Sequence, residues 1–218
     1  MRNALTYLTV LTAIGCVWMS CQKSQAADAV APKKDADGKA YFDDKEEFAK
    51  WSQTNVEFTQ SKTLGDFTYK LTMLSQDQMA MQELRGNIGD SAKFAEAKTH
   101  YEDLIYYKLN ISNDKHQGEL LRYGLERNGE YTERIKYCSF HLNEDIVMVM
   151  GKDTVPCALH EFERTFNLQN GLNFLVTFPK VDFKNGATVA FQDNLFKNGI
   201  IKFFFQKSIN ELPYFKIK

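Results

Sequence analysis

The sequence predicts a mainly β fold, an antiparallel β-sandwich or barrel-like domain with a few helices near its N-terminus (an α+β arrangement). The first observation is the aromatic content, because 17 Phe and 10 Tyr occur among 218 residues and many of them lie in alternating patterns, which favour half-buried strands. The second is the regular spacing of Gly and Asn between short apolar runs, which is typical of consecutive antiparallel strands joined by tight turns.

Three helices are predicted before the first long series of strands. Residues 43–51 have an acidic start and place Phe48 and Trp51 on one face. Residues 76–85 and 91–100 are also predicted helical and are separated by the glycines at 86–89. A hairpin is predicted between 56–59 and 67–74, around the turn Leu64-Gly65-Asp66.

From residue 104 onward strands dominate the prediction. The sequence Arg127-Asn128-Gly129-Glu130 is typical of a type I′ hairpin, since Asn and Gly tolerate positive φ. The predicted strands are 105–111, 121–125, 131–142, 146–150, 155–166, 172–178, 188–191 and 200–205. The apolar segment 192–205 predicts a central strand buried on both faces, and the alternative is an exposed edge that pairs with another protein.

The N-terminus has the pattern of an export signal. Arg2 precedes an apolar run from Ala4 to Met19, which ends at Ser20-Cys21-Gln22-Lys23. A run this short followed by a polar tail favours a removed signal peptide over a membrane-spanning helix. We therefore expect residues 1–20 to be a signal peptide.

The end of this signal resembles the signal peptides of bacterial lipoproteins, in which an aliphatic residue, a variable residue and a small residue precede the acylated cysteine. Ala13-Ile14-Gly15-Cys16 fits the four-residue pattern more closely, but Cys21 follows the end of the apolar run and opens a polar segment. The resemblance implies a lipid on Cys21, with Cys16 as the alternative. A third alternative is ordinary cleavage after Ala26 or Ala27, which would release a free periplasmic protein.

The remaining chain divides into a linker and one domain. Residues 21–39 form the predicted lipid anchor and flexible linker, because they carry almost no large apolar side chain. Residues 40–218 are long enough for a single globular β-rich domain with its own core. The 27 basic and 28 acidic residues balance, which disfavours nucleic acid as a partner.

Two Cys-x-x-His copies are the first candidate site. Cys138 with His141 and Cys157 with His160 provide four ligands of the kind that zinc prefers. Positions three apart point to opposite faces of a strand, which argues against a common metal site. A disulfide between the two cysteines is the alternative in an oxidising compartment, and two separate buried thiols are the third interpretation. We expect no metal and no cofactor.

The sequence contains no catalytic motif of the common hydrolase types. We therefore expect a non-catalytic envelope lipoprotein, an outer-membrane accessory or structural subunit that binds another envelope protein. Binding of a glycan or small ligand is the alternative, and aromatic side chains on one sheet face would support it. The candidates for that face are Tyr106, Tyr107, Tyr123 and Tyr131. A hydrolase with scattered residues would need His141, His160 and nearby carboxylates in one cleft.

Overall fold

Two large antiparallel sheets pack face to face in a mainly β structure. The computed structural model describes residues 30–127, 129–164, 171–181, 183 and 185–217. The strands are β1 (Lys33–Lys34), β2 (Ala40–Phe42), β3 (Thr59–Leu64), β4 (Phe67–Leu74), β5 (Leu104–Ser112), β6 (Ile146–Met150), β7 (Asp153–Pro156), β8 (Leu159–Glu163), β9 (Leu172–Pro179), β10 (Ala187–Asp193), β11 (Gly199–Phe205) and β12 (Tyr214–Phe215). The helices are α1 (Lys45–Thr54), α2 (Gln76–Glu83), α3 (Ser91–Thr99) and α4 (Glu130–Phe140).

The strands form three sheets. The five-stranded sheet has the order β3-β4-β5-β9-β8, and the four-stranded sheet has the order β11-β10-β6-β7. A small sheet has the order β1-β2-β12, in which β12 runs parallel to β2. The predicted antiparallel sandwich with helices nearer the N-terminus is therefore confirmed.

The core lies between the inner faces of the two large sheets. Tyr69 and Tyr107 on the five-stranded sheet are fully buried, as are Phe191, Phe203 and Phe205 on the four-stranded sheet. Rings contact across the sandwich, since the centroids of Tyr107 and Phe205 are 5.2 Å apart. Large aromatic side chains alternating with outward residues supply the buried area that holds the sheets together.

The chain crosses directly from the four-stranded sheet to the five-stranded sheet between β7 and β8. Only Cys157 and Ala158 separate β7 of the four-stranded sheet from β8 of the five-stranded sheet. The Cys157 amide donates to the Ile146 carbonyl (3.1 Å), and the Ala158 amide donates to the Thr177 carbonyl (2.8 Å). The sandwich is thus closed by backbone on this side, whereas the edge strands β3 and β11 lie near each other on the opposite side.

The first three helices were predicted correctly, and their starts explain why. The Asp44 carboxylate accepts hydrogen bonds from the amides of Glu46 and Glu47 and so caps α1. Ser75 and Gln78 form a reciprocal capping box at the start of α2. Side-chain oxygens that satisfy otherwise unpaired amides are a strong local signal for a helix start. No helix among the described residues has the length and apolar composition needed to span a bilayer.

The predicted hairpin at 127–130 is wrong. Gly129 has a φ of 97°, as a turn glycine should, but it precedes helix α4 and not a strand. Tyr131, Ile135 and Cys138 follow helical spacing and face the core. The predicted strand at 131–142 is therefore mostly a helix, and a 3-10 helix at Leu120–Arg122 overlaps the start of the predicted strand at 121–125, where no strand forms.

Three further boundaries differ from the prediction. The predicted strand 155–166 is divided at Cys157, where the chain changes sheets, and residues 165–170 lie outside the described residues. The strand predicted at 56–59 begins only at Thr59, because Val56 to Phe58 form a turn. The chain is already ordered at Lys33–Lys34, which pair with β2, so the predicted linker boundary at residue 40 falls inside a sheet.

The apolar segment near the C-terminus is an edge strand and not the predicted central strand. β11 pairs only with β10, and its residues alternate between the core and solvent. Ile201, Phe203 and Phe205 are buried, whereas Ile200 is 59% exposed and Phe204 is 51% exposed. The strand is therefore apolar on both faces but covered on only one.

Candidate functional site

A groove lies on the outer face of the five-stranded sheet, under helices α1 and α2. Its volume is about 440 Å³, within the range of small-molecule sites. The sheet contributes Lys70, Thr72, Leu74, Lys108, Asn110 and Asn173, and the helices contribute Lys45, Phe48, Ala49, Ser52, Gln53, Gln78, Met81 and Gln82.

The strand register explains the polar floor of the groove. Lys70 of β4 pairs with Asn110 of β5, and Asn110 pairs with Asn173 of β9. Directly paired residues of antiparallel strands point to the same face, so these three form a row across the sheet. The side-chain amide of Asn110 donates a hydrogen bond to the side-chain oxygen of Asn173 (2.9 Å). This bond satisfies one polar atom of the buried Asn173 side chain.

The two helices leave the middle of this face open. Helix α1 packs down through Phe48 and Trp51, both buried in the main core. Helix α2 packs through Met79, which joins Leu74 and Tyr106 in a separate apolar cluster. The polar centre of the sheet between these two contacts becomes the floor of the groove.

The charge of the groove is one-sided. Its lining contains three lysines, five side-chain amides and two hydroxyls, and none of the lining residues is Asp or Glu. The ammonium of Lys108 lies 3.1 Å from the carboxylate of Glu163, and both side chains are about two-fifths exposed. Lys45 and Lys70 form no ion pair with the other described residues. The groove can therefore bind an anionic group without displacing a buried ion pair.

The two Cys-x-x-His copies do not form a common site in the structure. Cys138 and Cys157 are both free, buried thiols. The His160 ring pairs with the Cys138 carbonyl oxygen (2.8 Å), and the His141 ring pairs with the Glu144 carboxylate (2.9 Å). Within the described residues no cluster of three or more His, Cys, Asp or Glu side chains is placed to hold a metal ion.

Burial also makes the two thiols chemically inert. It raises the pKa of Cys138 to about 12 and that of Cys157 to about 11. The thiolate is the form that binds metals and attacks electrophiles. Both side chains therefore contribute to packing, which was one of the three interpretations left open by the sequence.

The four candidate tyrosines do not form one exposed platform. Tyr106 and Tyr107 are neighbours on β5, so they point to opposite faces, and both are buried. Tyr123 packs edge-on against Phe67, and Tyr131 donates to Glu119 (2.6 Å) under the Arg122 guanidinium. Their faces are occupied by other side chains, so they do not present a stacking surface for sugars.

The lysines of the groove were missed in the sequence analysis, although a signal for them exists. Lys70, Lys108 and Asn110 lie at the outward positions of otherwise apolar strands. Lys and Asn are depleted in strands, so their presence at matching positions of adjoining strands could have indicated a polar site. The contribution of α1 and α2 required the tertiary structure.

The predicted acylation sites Cys21 and Cys16 and the predicted signal peptide at 1–20 lie outside the described residues.

Comparison with known proteins does not assign a family. No family model matches the chain, and no curated protein matches it. Two solved structures are similar at low identity. A DUF4426 family protein from Pseudomonas aeruginosa is 12% identical with a TM-score of 0.29, covering 69% of this chain and 94% of that chain. A protein of unknown function from Burkholderia pseudomallei is 9% identical with a TM-score of 0.35, covering 81% of this chain and 94% of that chain.

Proposed function

We propose that this chain is an exported, lipid-anchored protein of the cell envelope that acts by binding, and that the groove is its ligand site. The observation that carries the proposal is the convergence of Lys45, Lys70 and Lys108 on a cavity without a carboxylate in its lining. The predicted signal peptide and lipid-attachment cysteine supply the location.

The chemistry of the groove favours a small acidic saccharide. Ammonium groups bind carboxylates, while the side-chain amides and the hydroxyls of Ser52 and Thr72 match the many hydrogen-bonding groups of a sugar. Lys70 and Lys108 occupy diagonal positions on adjoining strands, which separates their backbones by about 7–8 Å.

Binding suits this lining better than catalysis does. Among the described residues, lysine is the only ionisable residue type that lines the groove, whereas glycoside hydrolysis generally needs two carboxyl groups on either side of the bond. His141 and His160, the candidates for a scattered active site, are engaged in the separate contacts described above.

Calorimetry of the mature chain with an oligomer of uronic acid and with its neutral counterpart tests this function. We expect the acidic oligomer alone to bind. Lys70→Gln and Lys108→Gln should each weaken binding about tenfold, since one charge-assisted hydrogen bond contributes roughly 1.5 kcal/mol. Glu163→Gln should strengthen binding, because it frees Lys108.

Lys62→Gln is the matched control, because Lys62 is an exposed lysine on β3 that does not line the groove. Equal affinity for the acidic and neutral oligomers, or an equal loss in the control variant, would refute the proposal.

A second candidate function is that of an accessory subunit that docks on another envelope protein. The observation that favours it is the outer face of the four-stranded sheet, which we call the bare face. Its residues are Val147, Val149, Thr154, Pro156, Thr188, Ala190, Gln192, Ile200, Lys202 and Phe204. Lys202 is the only charged member, and Ile200 and Phe204 are more than half exposed.

The partner that fits this face is a protein with a flat, uncharged apolar surface. A photo-reactive residue at position 204 should crosslink to one stoichiometric envelope protein in native membranes. The double variant Ile200→Ser/Phe204→Ser should lose that protein on purification, whereas Lys70→Gln should retain it. Crosslinks spread over many proteins would exclude a specific subunit role.

A further inference from the structure

The chain enters the ordered structure through the small sheet. Val30 is the first described residue, and Lys33–Lys34 of β1 pair with β2. β2 in turn pairs with β12 near the C-terminus. The end of the predicted tether is therefore fixed to this sheet, on one identifiable side of the domain.

The distance along the chain from Cys21 to the first described residue is short. Val30 lies nine positions after Cys21, and nine residue steps of extended chain span at most about 30 Å. On the proposed lipid anchor at Cys21, the small sheet is thus held within about 30 Å of the bilayer surface. The surface beside the small sheet has the chemistry expected for a face that meets lipid headgroups.

Two tyrosines on this surface lie side by side, and each has a lysine ammonium over its ring. The Lys39 ammonium lies 5.3 Å from the Tyr214 ring centroid, and the Lys216 ammonium lies 5.2 Å from that of Tyr41. The two tyrosine rings are 5.7 Å apart. Tyrosine and lysine are the side chains that combine an apolar body with a polar end at membrane interfaces.

A cavity of about 250 Å³ opens beside these residues. Lys39, Lys98, Lys180 and Tyr214 line it, together with Asp77 of α2. The Lys98 ammonium is 2.5 Å from the buried Asp77 carboxylate, so this pair is neutral. Lys39 and Lys180 form no ion pair with other described residues and give the cavity lining a positive charge. The Asp35 carboxylate, which accepts a hydrogen bond from the Tyr214 hydroxyl (2.9 Å) and attracts the Lys39 ammonium, offsets part of that charge.

We propose that the surface formed by Lys39, Tyr41, Lys180, Tyr214 and Lys216 faces the membrane, and that the adjoining cavity receives the headgroup phosphate of an anionic phospholipid. Lysines near an anionic surface attract it electrostatically. The anchor makes even weak attraction effective, because it holds the domain at a high local concentration over the bilayer. The surface thus sets the orientation of the domain, while the lipid on Cys21 provides the attachment.

Vesicle co-sedimentation of the mature chain with Cys21→Ser tests this inference without any contribution from the anchor. We expect binding to vesicles that contain phosphatidylglycerol and none to vesicles of phosphatidylcholine alone. Lys39→Gln, Lys180→Gln and Lys216→Gln should each weaken binding about fivefold, the contribution of one lysine at an anionic surface. Lys62→Gln and Lys202→Gln are the matched controls and should bind as the parent does.

Three results would overturn the inference. The first is the absence of binding to the anionic vesicles, and the second is binding that the three substitutions leave unchanged. The third is binding of inorganic phosphate alone, which would assign the cavity to a free anion. Failure here is separable from failure of the groove, because Lys70→Gln should leave vesicle binding intact and Lys39→Gln should leave saccharide binding intact.

Discussion

The outer faces of the two large sheets differ in composition and in cover. The five-stranded sheet lies under α1 and α2 and has Lys70, Lys108, Asn110 and Asn173 at its centre. The bare face of the four-stranded sheet has no helix over it among the described residues, yet Lys202 is its only charge. The covered face is thus the polar one, and the exposed face is the apolar one.

This inversion indicates where function lies. Folding alone would place polar residues on the bare face and apolar residues under the helices. Charged side chains retained beneath helices are expected where a ligand binds, and apolar side chains retained in solvent are expected where another surface docks. The four predictions that follow test how the two sheets are joined and how their faces differ.

The largest expected effect comes from separating the sheets. Asp193 of β10 is fully buried and accepts hydrogen bonds from the Tyr69 hydroxyl of β4 and from the amides of Leu195, Phe196 and Asn198. Asp193→Ala leaves these donors buried without partners and should lower the free energy of unfolding by roughly 3–5 kcal/mol. Urea denaturation measures the loss.

Glu161→Ala is the control for that substitution, because Glu161 is an exposed acid on β8. It should change the free energy of unfolding by no more than about 0.5 kcal/mol. A comparable loss in both variants would show that Asp193 does not join the sheets.

Alkaline pH should weaken the junction of the two sheets next. Burial raises the pKa of Cys157, at the junction, and that of Cys138, on α4, from about 9 to about 11 and 12. The folded state then retains protons that the unfolded state loses, so stability is complete below pH 9 and falls as the pH rises toward these values. Each thiol should contribute a loss of at most about 1.4 kcal/mol per pH unit.

Denaturation midpoints measured between pH 8 and about pH 10 for the parent and for Cys138→Ala check the contribution of the thiol, because tyrosines, whose ordinary pKa is near 10, add the same decline to both proteins. The Cys138→Ala variant should be less stable at every pH but show a flatter decline. A stability that is constant across this range would contradict the burial of the two thiols.

Two buried tyrosines should respond in opposite directions. Tyr69 bridges the sheets through Asp193 and Asn198, so Tyr69→Phe should cost about 1–2 kcal/mol. The Tyr107 hydroxyl is buried without a hydrogen-bond partner among the described residues. Tyr107→Phe should therefore leave stability unchanged or raise it by up to about 1 kcal/mol. Thermal unfolding of the pair distinguishes these outcomes, and equal losses would refute the distinction.

The smallest effect on stability should accompany the sharpest difference between the faces. Lys202→Val removes the only charge from the bare face, in the middle of an edge strand, and should promote self-association. Lys70→Val makes the same change under the helices and should leave the association state of the parent unchanged. Sedimentation velocity compares the two variants. If both variants associate, or if neither does, the helices over the five-stranded sheet do not decide whether the protein self-associates.

The sequence is sufficient to predict the elements whose signals are local. Caps mark the starts of α1 and α2, and alternation marks β4, β5 and β9. Helix α4 was not predicted because Asn128-Gly129 matches a hairpin turn, and the residues after it were predicted to form a strand. A left-handed glycine is compatible with both structures, so the periodicity that follows must decide.

The candidate site depends on the order and register of several strands, which the sequence of one strand does not determine. Whether β11 is central or at an edge is a property of sheet order, and its sequence is apolar in either case. The groove needs the register of β4, β5 and β9 and the placement of α1 and α2 over them. The sequence predicts tyrosines that bind a ligand through their rings. Large aromatic side chains are also efficient core residues, however, and Tyr107 is buried in the core.

Because the chain crosses from one sheet to the other at Cys157 and Ala158, the two sides of the sandwich are held together in different ways. The backbone joins the sheets on the side of β7 and β8, whereas no backbone hydrogen bond joins β3 to β11 among the described residues. Next to these two strands, the ion pair of Lys207 with Glu57 links the sheets through side chains. Local opening of the sandwich should therefore begin on the side of β3 and β11. Amide protons of β3 and β11 should exchange with solvent sooner than those of β7 and β8.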